Sequence, residues 1–345
     1  MGSQAGDDEE SVGEAKRRGS LGSNSITMRW FFNYATSPLS KVVHLGGARN
    51  WYAKSKLRWP WFFPVDGAPM SLGIEVTNAC NLKCIMCHRQ VMTRKVGFMD
   101  FELFKECAHQ GIEMGVKMIV PFNYGEALLH PRLIDMVEYI KSRSRETIVK
   151  VNTNGMLLTK DYARNLIGTG IDEITFSLEG CTKESHERIA IGSDYDSILA
   201  NVIDLIDMRK GNAKPRIRAC MVRMEETESE MKQFVKKWRP IVDSITIHDM
   251  NTGYGTLKDR RVRKSPLKRK VPCRELWLKL QVLWDGSVTV CCIDYDGDLK
   301  IGNVKYNSLY ELWLGSKLRR MREIHRDREF EKIQICNKCD SDNTL

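Results

Sequence analysis

No stretch of this 345-residue sequence stays apolar for the roughly 20 residues that a membrane-spanning helix needs. The first residues are polar and acidic, with no apolar h-region to read as a secretion signal. Both absences point to the cytoplasm, where thiols stay reduced and disulfides are rare. Residues 1–27 are nearly free of large apolar groups and cannot bury enough surface to offset ordering, so a disordered tail is expected there. No internal repeat is present. The two basic stretches, KDRRVRKSPLKRK (258–270) and SKLRRMREIHRDR (316–328), lack interleaved stacking aromatics, which argues against nucleic acid as a partner.

What is present describes a globular chain, with 42% hydrophobic and 28% charged residues. Its length allows one large domain and a smaller one. Much of the net charge of +10 lies in the two basic stretches. They read either as a solvated linker and the outer face of a helix, or as a positive rim that draws in an anionic substrate. Residues 28–70 gather rings in RWFFNY, NWY and LRWPWFFP. An N-terminal extension packing onto the main domain is one reading. Peripheral membrane contact is the other, since Trp beside Lys and Arg suits a lipid interface, but no helical periodicity supports it.

From residue 71 an alternation begins. SLGIEVT (71–77), VKMIVPF (116–122), TIVKVNT (147–153), DEITFSL (172–178), PRIRACMV (215–222) and DSITIHD (243–249) read as strands. Amphipathic stretches at 100–115, 131–144, 160–170 and 194–211 read as helices between them. Strand and helix repeated about six times predicts an α/β fold, a partial (β/α)6 TIM-like barrel over 71–256. In such barrels chemistry gathers at the C-terminal ends of the strands. Parity on the fifth strand turns Arg218 and Cys220 toward the barrel interior; on the sixth it turns Thr246 and His248 inward. Arg218 there either grips an anionic ligand or serves a structural ion pair. A basic linker (257–272) leads to a small α+β domain (273–345), with a hairpin meeting at Asp285–Gly286 and a helix over 308–325.

Eleven cysteines in a reducing compartment suggest metal or redox chemistry. Cys80, Cys84 and Cys87 fall within eight residues, directly after the first strand. Three thiolates do not complete a tetrahedral zinc site unless His88 or a distant residue joins them. A [4Fe–4S] cube held by three thiolates keeps one iron open to an exogenous ligand, a physical reason for the number three.

The Cys-x3-Cys-x2-Cys loop resembles that of the radical S-adenosylmethionine (SAM) superfamily, and further fragments follow in the family's order. NYGE (123–126) stands where the family has Gly-Gly-Glu, with Tyr124 replacing the first glycine; NTNG (152–155) and SLEG (177–180) come at later strand ends. The resemblance implies that the open iron chelates SAM and that an electron cleaves it to methionine and a 5′-deoxyadenosyl radical. It implies that Gly125 and Glu126 meet the methionine ammonium, and that Thr153, Asn154, Ser177 and Glu179 bond the ribose or the methionine end. Met86 would pack on adenine, and Arg218 could hold the SAM carboxylate. The C-terminal domain resembles the SPASM/twitch extension, so Cys273, Cys291, Cys336 and Cys339 would saturate one auxiliary [4Fe–4S] cluster. A four-ligand zinc site is the alternative. Cys107 and Cys181 read as inert. Cys220 or Cys292 would donate hydrogen to a substrate radical, Cys292 pointing away from Cys291 within a strand.

The resemblance further implies hydrogen abstraction from a C–H bond of a sugar-like or aminocyclitol substrate, anionic or nucleotide-linked, giving oxidation or epimerisation. A reductase such as flavodoxin or ferredoxin would supply electrons. The alternatives are a ribosomal-peptide maturase and a non-catalytic iron–sulfur scaffold. The latter draws on Tyr124 and on Ala190, where relatives often carry arginine.

Overall fold

The structure, a computed structural model, describes residues 68–340 apart from Lys210, Ser265 and Lys270. The expected tail (1–27) and almost all of the aromatic stretch (28–70) lie outside the described residues. Six parallel strands and their crossover helices come first: β1 (Ser71–Ile74), α1 (Phe101–Met114), β2 (Met118–Val120), α2 (Leu133–Arg143), β3 (Ile148–Thr153) and α3 (Lys160–Gly168). There follow β4 (Glu173–Ser177), α4 (Lys183–Ile189), α5 (Tyr195–Met208), β5 (Arg216–Arg223), α6 (Met231–Trp238) and β6 (Ser244–Asp249). Helices α4 and α6 were not anticipated; each is short, with seven and eight residues.

Local chemistry sets these boundaries. Asp100 caps α1 by accepting the Glu102 and Leu103 N–H groups, and Gly115 ends it in the left-handed region at φ 83°. Thr182 opens α4 with a capping box, and Asp194 caps α5. Along the strands, Val149, Val151, Ile174, Phe176, Ile217, Ala219 and Met221 have no exposed surface and pack beneath the helices. The alternate residues are turned to the barrel interior, as parity requires. The fold is thus the expected partial barrel.

The strands of the C-terminal region join the barrel sheet. After α7 (Glu275–Leu278) come β7 (Lys279–Val282), β8 (Ser287–Thr289) and β9 (Gly302–Asn303). β7 lies parallel against the free edge of β1, with Ser71 opposite Lys279 and Ile74 opposite Val282. One nine-stranded sheet results, in the order β9-β8-β7-β1-β2-β3-β4-β5-β6. The hairpin around Asp285–Gly286 is present, but it extends the barrel sheet and covers an edge that would otherwise be open.

The single helix expected over 308–325 is two, α8 (Leu309–Leu314) and α9 (Ser316–Arg326), followed by α10 (Gln334–Asn337). Gly315 separates them in an extended conformation, ψ 157°. The break lets Arg322, only 1% exposed, reach back to the carbonyls of Trp313 and Leu276, each at 2.9 Å. Burial lowers its pKa to about 10. The basic stretch 316–328 is therefore not all solvated surface. The linker is not bare either. Arg260 pairs with Glu226, Arg261 with Asp259 at 2.8 Å, and Lys264 with Glu225 at 2.7 Å.

One buried ion pair joins the two halves of the sheet to the cysteine loop. Glu75, just past β1 and with no exposed surface, receives Arg94 through both carboxylate oxygens at 2.6 and 2.5 Å. Arg94 Nε donates to the Tyr295 carbonyl at 2.5 Å, and the Trp284 N–H donates to Glu75 at 3.3 Å. Replacing Arg94 by Met should strand a buried carboxylate and cost about 3–5 kcal/mol in urea unfolding. Arg320→Met, in an exposed pair with Glu323, should cost about 0–1 kcal/mol.

Candidate active site

The three thiols lie in the loop that leaves β1 and returns before α1. All three are free and half-buried. The loop is folded on itself by Asn78, whose side chain donates to the Lys95 carbonyl at 2.9 Å and accepts the Gly97 N–H at 2.9 Å. Arg89 closes it further, donating to the Asn78 carbonyl at 2.6 Å. Burial raises the pKa of all three thiols, and for Cys84 the charge of Cys87 adds to this. Such thiols give up their protons to a cationic partner and otherwise stay neutral.

Gly125 and Glu126 press against this loop from β2. The Glu126 N–H donates to the Ala79 carbonyl at 2.7 Å. Gly125 has φ 90°, and a Cβ there would fall 2.6 Å from the carbonyl oxygens of Thr77 and Ala79. Only glycine permits that approach. Glu126, 2% exposed, accepts the N–H of Leu128 at 3.1 Å and that of Asn154 at 2.7 Å. Burial raises its pKa, and these donors counter it. Asn154 in turn donates to Asn81, between Cys80 and Cys84, at 2.9 Å. Thr153 is buried and accepts the Gly155 N–H at 3.0 Å. The cysteine loop, NYGE and NTNG therefore form one hydrogen-bonded unit.

Glu179 comes from the loop after β4. It is 4% exposed and accepts the Val222 N–H at 2.9 Å, while burial pushes its carboxyl up to about 7. Ser177 is half-buried and pairs in register with Cys220. Met86 packs against Ile189, Met224, Met250 and Leu257. Arg218 faces inward but is engaged, donating to Glu173 at 2.9 and 3.1 Å and to Thr246 at 2.9 Å. Cys220 lies 4.0 Å from His248 Nε2, and burial raises its thiol to about 11.

A second set of thiols gathers beyond the hairpin. Cys273 precedes α7, Cys291 follows β8, and Cys336 and Cys339 flank the end of α10. Burial raises Cys336 to about 12, with Cys273 adding to it. Cys291 is raised by burial, with the charges of Cys292, Cys273, Cys339 and Cys336 adding to it. Arg269 donates to the Cys339 sulfur at 2.8 Å, and the Cys273 N–H donates to His325 Nδ1 at 3.0 Å. Cys292 lies in a turn after the strand, not within it, and is exposed. Cys107 and Cys181 are buried, with 0% and 5% exposure.

Sequence reasoning missed several of these residues. Glu75, Arg94, Asn78, Arg89 and Tyr295 act through contacts that no short spacing announces. Tyr124 had a visible signal as a departure from the expected glycine, but its contacts appear only in three dimensions.

The donor sets fit the groups the motifs imply in number and chemistry: three thiols in one buttressed loop, and four more in the C-terminal region, Cys339 among them accepting from Arg269. Residues 74–237 match the model of the radical SAM superfamily, and residues 273–340 match that of an iron–sulfur cluster-binding domain, SPASM. The chain is 24% identical over 315 residues to the tungsten-containing aldehyde ferredoxin oxidoreductase cofactor-modifying protein of Pyrococcus furiosus. That match spans 78% of this chain and 88% of the relative. Its fold is similar to that of BtrN in complex with AdoMet and 2-DOIA, with a TM-score of 0.57, 19% identity, and coverage of 80% and 94% of the two chains. It is also similar to Streptococcus suis SuiB bound to precursor peptide SuiA, with a TM-score of 0.61, 14% identity, and coverage of 74% and 67%. With a SAM-binding [4Fe–4S] site in the loop after β1 and an auxiliary iron–sulfur site in its C-terminal region, the chain belongs to the radical SAM superfamily and carries a SPASM domain.

Proposed function

We propose that the protein abstracts hydrogen from a C–H bond of a small polar substrate, sugar-like or aminocyclitol, and oxidises or epimerises that carbon. The observation that carries this reading is the inward face of β3–β6. Lys150, Asn152, Ser177, Arg218, Thr246 and His248 alternate with the apolar residues packed beneath the helices. Such a face offers hydrogen-bond donors and positive charge to hydroxyl, amine or phosphate groups. The similarity to BtrN, seen with 2-DOIA, supports a small-molecule substrate.

Cys80, Cys84 and Cys87 would hold the [4Fe–4S] cluster that supplies the 5′-deoxyadenosyl radical from SAM when bound and reduced. The chain's own groups do the rest. Gly125 lets the NYGE turn close on the cysteine loop, and Glu126 locks that turn to Asn154. Glu179 presents a carboxyl beside the same loop. Cys220 keeps its proton near His248, so a hydrogen atom is available to a substrate radical in an epimerisation. Cys273, Cys291, Cys336 and Cys339 suffice for one auxiliary cluster, a destination for the substrate electron in an oxidation. The anionic or nucleotide-linked form of the substrate draws on Lys150, whose ammonium lies 3.4 Å from Glu173 and is partly accessible. A flavodoxin- or ferredoxin-class reductase would supply the electron.

Peptide maturation is the second reading, favoured by the likeness to SuiB with its bound peptide. Isotope transfer separates the two. Incubation with dithionite, SAM and deuterated sugar nucleotides or aminocyclitols should place deuterium in 5′-deoxyadenosine; transfer from a precursor peptide instead would overturn the small-molecule reading. The site itself is tested by substitution. Cys84→Ala should abolish 5′-deoxyadenosine formation. Gly125→Ala should lower it by at least about tenfold, roughly the 1.4 kcal/mol of a displaced loop, while far-UV circular dichroism stays unchanged.

A further inference from the structure

Tyr124 stands where the family has a glycine, and nothing in the function proposed above uses it. Its ring is 8% exposed. Its N–H points at Glu75 at 3.4 Å, and its hydroxyl donates to the Cys292 carbonyl at 3.0 Å. The ring meets His88 edge-on, with centroids 6.0 Å apart and planes at 75°. His88 follows Cys87 in the chain, and Cys292 follows Cys291. From one thiol set to the other, the path is one residue along the chain, one ring contact, one hydrogen bond and one more residue along the chain. His88 also stacks on Tyr295 at 5.7 Å, and Tyr295 on Tyr254 at 5.4 Å, which fixes the His88 ring.

A glycine at this position could make neither the ring contact nor the hydrogen bond. Burial raises the phenol well above its ordinary pKa, with the neighbouring thiols Cys292, Cys291 and Cys87 adding to the shift. The hydroxyl therefore remains a donor.

We infer that Tyr124 and His88 form the bridge by which an electron passes between the two iron–sulfur sites, which rests on the reading that both hold [4Fe–4S] clusters. One cluster loses one electron and the other gains it. Tyr124 keeps its proton, so none is transferred. The electron enters from a one-electron reductant, a flavodoxin- or ferredoxin-class protein or dithionite.

The test uses full-length protein reconstituted with iron and sulfide, reduced with dithionite, desalted and mixed with SAM. Freeze-quench EPR follows the auxiliary-cluster signal beside the 5′-deoxyadenosine formed per chain. The unsubstituted protein should show a first burst, then decay of the auxiliary signal together with a second equivalent of 5′-deoxyadenosine. Tyr124→Leu should slow that decay about tenfold or more relative to the burst in the same trace. Tyr124→Phe, which keeps the ring and loses the hydrogen bond, should fall between. Decay in the Leu variant as fast as in the unsubstituted protein overturns the bridge, as does an auxiliary signal that never decays without substitution. If the Leu variant loses its auxiliary signal, the Phe variant decides, and decay at the unsubstituted rate overturns the proposal. Unsubstituted protein with about four irons per chain, not eight, and no auxiliary signal sinks the two-cluster reading and this inference with it.

Discussion

A carboxylate with no exposed surface, Glu75, sits where the cysteine loop, the NYGE turn and the C-terminal hairpin meet. Alone it would be costly to bury. Arg94 offsets that cost with a two-pronged pair, and the N–H groups of Tyr124 and Trp284 complete the shell. Because Arg94 lies seven residues past Cys87 in the same folded loop, its pairing with Glu75 holds that loop down onto the sheet. The same guanidinium reaches Tyr295, beside the second thiol set. A single desolvated charge pair thus couples the geometry of one cysteine set to that of the other.

The barrel divides its strands into two faces with different work. Residues such as Val151, Phe176 and Ala219 have no exposed surface and supply the packing that makes the strands rigid. Their neighbours carry polar and charged groups inward, and the Lys150–Glu173–Arg218 ladder shows how these are kept paired at the base of the interior. Nearer the strand ends, Ser177 pairs in register with Cys220, which lies 4.0 Å from His248 Nε2. Chemistry can be placed there because the supporting face asks nothing of it.

Much of the fold was legible because strand parity and helical periodicity are local. The six barrel strands and four of the helices matched their expected places within a few residues. The short helices α4 and α6, and the break at Gly315, were not seen, because short apolar runs leave too little periodicity to distinguish. The hairpin's own pairing was legible at Asp285–Gly286. Its attachment to β1 was not, since about 200 residues separate the partners. Likewise the charge of 258–270 could be counted, but not that Arg260, Arg261 and Lys264 each find a carboxylate.

The sequence by itself determined the kind of chemistry. Cys80, Cys84 and Cys87 sit so close along the chain that their grouping needs no distant partner, and the order of NYGE, NTNG and SLEG follows from their positions at strand ends. Tertiary structure decided how these pieces hold one another. Gly125 is indispensable because Ala79 and Thr77 from another segment crowd it, and Tyr124 reaches Cys292 across 168 positions of chain. A spacing is a property of neighbouring residues, whereas a contact between remote ones exists only once the sheet has brought them together.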